Sequence, residues 1–218
     1  MKTVEKIIEE QVQRWEISRA EKKKEEQIPV ITISREPGSG GRALAEKLAE
    51  KLGFDLFHRE IINEMANSAQ VSSRVLETLD EKGLSVLDEW ITSLVDDRHL
   101  WPDQYLQHLM KVVGAIGKHG KSVIVGRGAN FVLPREKSFR VRIVAPHKIR
   151  VQNTAKQLSI SNEKAEGQII RTESDRRSFV RKYFNANIAD PINYDMLINT
   201  EAISTDSAVN TIKSAIGL

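Results

Sequence analysis

The chain has 218 residues, 40% hydrophobic and 29% charged, a length and balance that allow one domain with a substantial core and exclude an unfolded polymer. It contains no cysteine, which removes disulfides, zinc–thiolate centres and cysteine nucleophiles together. The formal net charge is +3, the pI is near 9.0 and the mean hydropathy is -0.38; this mild basicity suits a small phosphate-bearing ligand as well as weak nucleic-acid contact, and no apolar run reaches the roughly 18 to 20 residues that span a bilayer.

The opening MKTVEKIIEEQ alternates charge with apolar residues and lacks the h-region of a secretory signal, so a cytoplasmic location away from membranes is expected. Residues 1–28 form a compositional block of their own, in which Val4, Ile8, Val12 and Trp15, with Ile7 beside them, recur at helical spacing. That stripe suits either packing on its own domain or contact with a partner, including a homodimer through this helix. The stretch from Arg19 to Gln27, with Lys22 to Lys24 and Glu25 and Glu26, has almost no apolar face and reads as a solvated helix end or linker, closed by Pro29.

From Val30 onward, in a domain spanning 29–218, short β-branched runs alternate with helical stretches, the pattern of an α/β sheet with crossover helices. Strands are predicted at Val30 to Ser34, Phe54 to Phe57, Ser122 to Val125, Phe139 to Val144 and Met196 to Asn199. A helical insertion at about 61–119 is marked by Leu84, Leu87, Ile91, Leu94 and Val95, with breaks expected at Gly83 and Pro102. Further helices are expected from Pro146 to about Leu158, from a cap at Asn162 to Phe184, and from Thr205 to about Ile216.

The most informative stretch is ITISREPGSGGRALAEKLAEKL, residues 31–52. A buried strand runs into Gly38, Ser39, Gly40 and Gly41 and straight on into a helix. Strand, glycine turn and helix start gather backbone N–H groups and a positive helix end at one point, which suits a phosphate. A plain tight connector between strand and helix is the alternative. A standard P-loop reads GxxxxGK[ST]; with Gly38 and Gly40 in the glycine places, Gly41 stands where the lysine belongs and Ala43 where the hydroxyl is often found. Arg35 before the turn and Arg42 after it are the candidates to supply the missing charge.

The run SREPGSGGR, followed by LGFDLFHREII, VIVGRGANFVL and DPINYDMLINT, resembles the cytidylate kinase-like proteins, a divergent branch of the P-loop nucleoside monophosphate kinases. The likeness covers nearly everything from Val30 onward, and the lysine-free GSGG turn is itself the look of this branch. It implies an α/β, P-loop NTPase-like three-layer fold with a parallel five-stranded sheet flanked by helices, to which this chain adds an N-terminal helix. It also implies ATP as phosphoryl donor at the turn, an acceptor site across the strand ends, a mobile arginine-bearing lid at about 160–190, and Mg2+ whose ligands stay unassigned.

Arg127, in Gly126-Arg127-Gly128 at the end of the third strand, is by this resemblance the acceptor-phosphate residue, with Gly128 replacing the aspartate of authentic cytidylate kinases. Arg176 resembles the lid arginine, with Phe179 matching an aromatic there; Arg171 and Arg181 are supporting catalytic candidates beside it and Arg42. Such a charge run also reads as a solvated helix face. Arg59 is expected to line the acceptor site, His58 is left open, and His99, His108, His119 and His147 have no metal-ligand spacing. The expected activity is transfer of the γ-phosphoryl of ATP to a pyrimidine monophosphate, CMP or dCMP, with nucleotides rather than nucleic acid as partners. The alternatives are a catalytically impaired nucleotide-binding regulator on the same fold and an interaction module using the basic helix and N-terminal segment.

Overall fold

The β-branched runs form five parallel strands, β1 (Val30–Arg35), β2 (Asp55–Phe57), β3 (Ser122–Val125), β4 (Ser138–Val144) and β5 (Met196–Asn199), in the order β2-β3-β1-β4-β5. The computed structural model describes residues 3–20 and 30–218. The lysine-rich run at 22–26 and the stop at Pro29 lie outside the described residues.

β1 is the central strand. Ile33 pairs with Val125 on one side and Val141 on the other, and Val30 through Ile33 are almost wholly buried, as a strand covered on both faces requires. Because β1 sits between β3 and β4, its carboxyl end opens into the crevice where the strand order reverses. One sheet face, with Ile31, Ile33, Val123, Val141 and Ile143, packs against Leu44 and Leu48 of α2 (Gly41–Leu52) and Val209 and Ile212 of α10 (Thr205–Ala215). The other, with Val30, Phe57 and Ile124, meets α1 (Val4–Ala20), α3 (Arg59–Asn67), α6 (Gln104–His119) and the end of α9 (Asn162–Phe184). The result is the three-layer arrangement expected.

The insertion is four helices: α3, α4 (Ala69–Glu77), α5 (Glu81–Arg98) and α6. The expected break at Gly83 falls instead at Asp80, whose side chain caps α5 by accepting from Gly83 N at 2.7 Å. Gly83 is therefore a donor inside the first turn, not a breaker. The break at Pro102 stands, with Asp103 capping α6. A short α7 (Ala129–Val132) follows β3, and α8 (His147–Leu158) follows β4. α9 is capped by Ser161 rather than Asn162, since the Ser161 hydroxyl accepts from Lys164 N. No helix among the described residues is long and apolar enough to cross a membrane.

The apolar stripe of α1 is spent within the chain. Ile8, Val12 and Trp15 are buried, Gln11 Nε2 donates to Asp55 Oδ2 at 2.7 Å, and Arg14 pairs with Asp55 at 3.0 Å. Trp15 lies flat on the His119 ring, centroids 4.2 Å apart, and stacks on Phe57 at 5.9 Å. The Thr78 hydroxyl gives its proton to Val75 O, so it accepts from His119 Nε2 at 2.8 Å, which fixes the neutral Nε2–H tautomer.

Burial lowers the His119 pKa from 6.5 to about 4. The unfolded chain therefore binds one proton more than the folded one between these values, and stability falls as pH drops through that window. His119→Gln is expected to flatten the acid side of the stability profile between pH 6.5 and 4, measured by urea midpoints, while wild type loses on the order of 3 kcal/mol there.

Candidate functional site

At the end of β1 the chain turns through Gly38 and Gly40, both left-handed (φ 77° and 76°), and enters α2 at Gly41. The Ser39 hydroxyl donates to Glu36 O at 2.8 Å and Thr200 Oγ1 donates to Ser39 O at 2.8 Å, fixing the turn from inside and from the end of β5. α8 holds it from above: Asn153 Nδ2 donates to Gly38 O at 2.9 Å. A side chain at position 38 would strike the Arg150 carbonyl and Thr154 Oγ1, so only glycine permits this approach. Gly41, Arg42 and Ala43, whose backbone N–H groups belong to the first turn that a helix leaves without internal partners, line the cavity at the turn.

That cavity, about 550 Å³, is lined by the turn, by Arg42 and Ala43 on α2, and by Asn153, Thr154 and Gln157 on α8. A second, of about 350 Å³, lies at the ends of β1 and β3, lined by Ser34, Gly126, Arg127, Gly128, Asn130, Phe179 and Ile188. Arg35, Arg59, Thr172 and Arg176 line both.

The path of Arg35 explains the missing lysine. A Cβ at Gly41 would stand 2.6 Å from Arg35 Cβ and 3.3 Å from Ile143 Cβ, and one at Gly126 would fall on the Arg35 guanidinium. The Arg35 side chain thus runs between two glycines, and a lysine at position 41 would displace it. Arg176 NH1 donates to Arg35 O at 2.6 Å, bringing α9 over the same point. Arg127 has φ 51° between Gly126 and Gly128, which are also left-handed, and its guanidinium lies 4.9 Å over the Phe179 ring with Nε buried and unbonded. A non-glycine residue held there stores on the order of 1 kcal/mol or more.

The charges are mismatched. Burial, then the charges of Arg176, Arg59 and Arg127, works against the cationic form of Arg35. Burial, then Arg59 and Arg142, does the same to Arg176. Against these guanidiniums the smaller cavity offers Asp175, exposed at its rim, as its carboxylate. Such a cluster is completed by a multiply charged anion.

Residues 30–202 match the cytidylate kinase-like family. The chain belongs to that family. Among its curated relatives, the cytidylate kinase of Pyrococcus horikoshii is 28% identical over 188 residues, covering 86% of this chain and 88% of the relative. That of Methanocaldococcus jannaschii is 26% identical over 197 residues, covering 86% and 97%. The crystal structure of a protein from Eubacterium ventriosum superposes with a TM-score of 0.68 at 23% identity, over 87% of this chain and 98% of that one, a likeness of fold.

Of the sequence-predicted residues, Arg35, Gly38, Gly40, Gly41, Arg42, Ala43, Arg59, Arg127 and Arg176 line one or both cavities, while Ser39 is buried beneath the turn. Arg171 and Arg181 are exposed on α9 and line neither. Arg42 is 63% exposed and paired with Glu46 at 3.1 Å, so the two arginines flanking the turn are not equivalent. His58 meets Glu46 at 3.3 Å, and burial followed by the Arg42 charge lowers its pKa. His147 pairs with Glu166, and His108 Nδ1 meets Ala66 O.

The aspartate of authentic cytidylate kinases that Gly128 replaces has no room here: a Cβ at Gly128 (φ 66°) would land in the Phe184 ring. Nor do the residues present build a magnesium site. Glu36, Glu46 and Glu60, which line the larger cavity, are engaged by Arg150, Arg42 and Arg59. Among the described residues no group of three or more histidines and carboxylates could hold a metal ion. Magnesium arriving with a nucleotide would thus be carried by phosphate oxygens and water. Sequence reasoning missed Glu36, Arg150, Asn153 and Thr200. Glu36 sits inside SREPGSGG, but nothing local marks the others.

Gly38→Ala is expected to unseat the turn from α8, lowering the melting temperature and abolishing ATP binding in calorimetry. Gly40→Ala, whose Cβ meets nothing within 4 Å, should cost only the left-handed strain of about 1 to 2 kcal/mol and keep measurable ATP affinity.

Proposed function

We propose that this protein transfers the γ-phosphoryl group of ATP to a nucleoside monophosphate, with CMP and dCMP the first acceptors to test. The observation that carries this reading is the set Arg35, Arg59 and Arg176 lining two adjoining cavities, one at a glycine turn and helix start, the other at Arg127. Phosphoryl transfer requires positioning and charge around three equatorial oxygens, with donor and acceptor in line, and no covalent intermediate.

In this mechanism the amides of Gly38, Gly40, Gly41 and the start of α2 through Ala43 cradle the donor phosphates, while the Ser39 amide, bonded to Glu36 O at 3.3 Å, holds the turn in shape. Arg35 takes the place of the absent lysine, since it is buried at the junction, whereas Arg42 reaches the phosphate tail from the rim. Arg59 and Arg127 hold the acceptor phosphate. Arg176, carried by α9, meets the charge that spreads during transfer; it is bonded to Arg35 rather than to Glu173. Arg171 and Arg181 are assigned no phosphate contact. Phe179, Val180 and Ile188 supply an apolar wall on which the acceptor's base or sugar rests.

A second reading, a nucleotide-binding regulator without turnover, is favoured by one observation: Phe184 fills the space beside Gly128 where authentic cytidylate kinases would place an aspartate. A coupled assay with ATP across CMP, dCMP, UMP and AMP separates the two; no turnover with any of them would sink the transferase.

Arg176→Ala is expected to lower kcat by roughly 10³ while moving KM far less, because its contact is strongest in the transition state. Arg127→Ala should raise KM for the monophosphate more than for ATP. Steady-state kinetics with each substrate varied in turn checks both.

A further inference from the structure

The glycine turn and α9 are also joined through an ion-pair chain, centred on a buried guanidinium between two half-buried carboxylates, that the phosphate contacts do not use. Arg150 on α8 exposes 7% of its surface. Its Nε lies 3.3 Å from Glu36 Oε2 and donates to Ala145 O at 3.0 Å, and its NH1 binds Glu173 Oε1. Glu36 also accepts from Ala145 N at 3.2 Å. One guanidinium therefore bridges a carboxylate two residues before Gly38 and a carboxylate on α9 three residues before Arg176, nearly one helical turn away.

The geometry makes this a linkage rather than a surface pair. Arg176 returns to the turn through its bond to Arg35 O, so Glu36, Arg150, Glu173, Arg176 and Arg35 close a ring. Inside it, a planar fork serves the two carboxylates from separate nitrogens, whereas a lysine ammonium would offer both a single point charge. Losing one partner leaves a buried charge uncompensated. Arg177, the other partner of Glu173 at 3.2 Å, is 65% exposed and outside the ring.

We propose that Arg150 is a positioning residue that couples the glycine turn to the lid helix, setting through Glu36 and Glu173 where Arg176 stands over the phosphates. The kinetic part of this inference rests on the phosphotransfer reading above. The coupling itself does not, because it is a property of the ring without substrate.

Hydrogen exchange of the full ligand-free chain tests the coupling. Glu173→Gln keeps the side chain's shape and is expected to speed exchange by about tenfold in α9 and also at the bonded amides of the turn, Glu36 N on Ile143 O and Ser39 N on Glu36 O, on the far side of Arg150. Arg177→Gln should leave the turn unchanged. Arg150→Met should reproduce the Glu173→Gln effect, and the double variant should add little to either; should Arg150→Met fail to fold, Glu173→Gln alone decides. A turn whose exchange is the same in Glu173→Gln and wild type, or opens equally in Arg177→Gln, overturns the coupling. In the ATP and CMP assay, Glu173→Gln should cut kcat roughly tenfold with KM for ATP little moved, and Arg150→Lys should recover part of the loss of Arg150→Met. Unchanged kcat with an opened turn overturns the positioning role, whereas a wild type without turnover counts against phosphotransfer alone.

Discussion

Everything at the sheet's carboxyl edge follows from the need to hold Arg35 in place. A buried guanidinium beside three others is unfavourable by desolvation and by repulsion, so the fold must confine it with structure that gains its stability elsewhere. The confinement is steric: Gly41 and Gly126 leave a channel one side chain wide. The stability comes from two apolar layers that pack on both faces of the sheet, one of which reaches the cluster through Phe179 and Val180. An entering anion would recover the cost of the cluster, which is the physical advantage of such a site over the same arginines spread over a surface.

The same logic assigns α8 a role that its sequence hides. Arg150 and Thr154 are buried and Asn153 reaches the turn, so one side of this short charged helix is a clamp. Its Gly38 contact requires the absence of a side chain, and its Arg150 contact requires the presence of a long planar one. These opposite demands sit one above the other at a single point, so turn and clamp must be chosen together.

Much of the fold was legible because its signals are local. The β-branched runs gave all five strands within a residue or so, and the glycine turn announced the strand-to-helix passage. The misplaced break at Gly83 came from reading a glycine as a stop, when Asp80 three residues earlier supplies a cap that makes it the start. The arginines of α9 were harder. The resemblance singles out Arg176, but nothing local excludes Arg171 and Arg181, which lie exposed on the helix while Arg176 is half-buried and bonded to Arg35 O. Arg150 reads as one more solvated base on a helix, since its two carboxylate partners are 114 residues before it, at Glu36, and 23 after it, at Glu173. Long-range pairing leaves no periodicity to find.

The helix at the amino end lies outside the stretch that matches the family, yet it leans on β2, the first strand in the sheet order and one of its two edges. Gln11 and Arg14 occupy Asp55, and Trp15 covers Phe57. An edge strand offers unpaired backbone groups to any other strand it meets. A domain beginning at Val30 would leave Asp55 without these two partners and uncover the Trp15 side of the Phe57 ring, so α1 finishes a face of the sheet that the matched stretch alone leaves open.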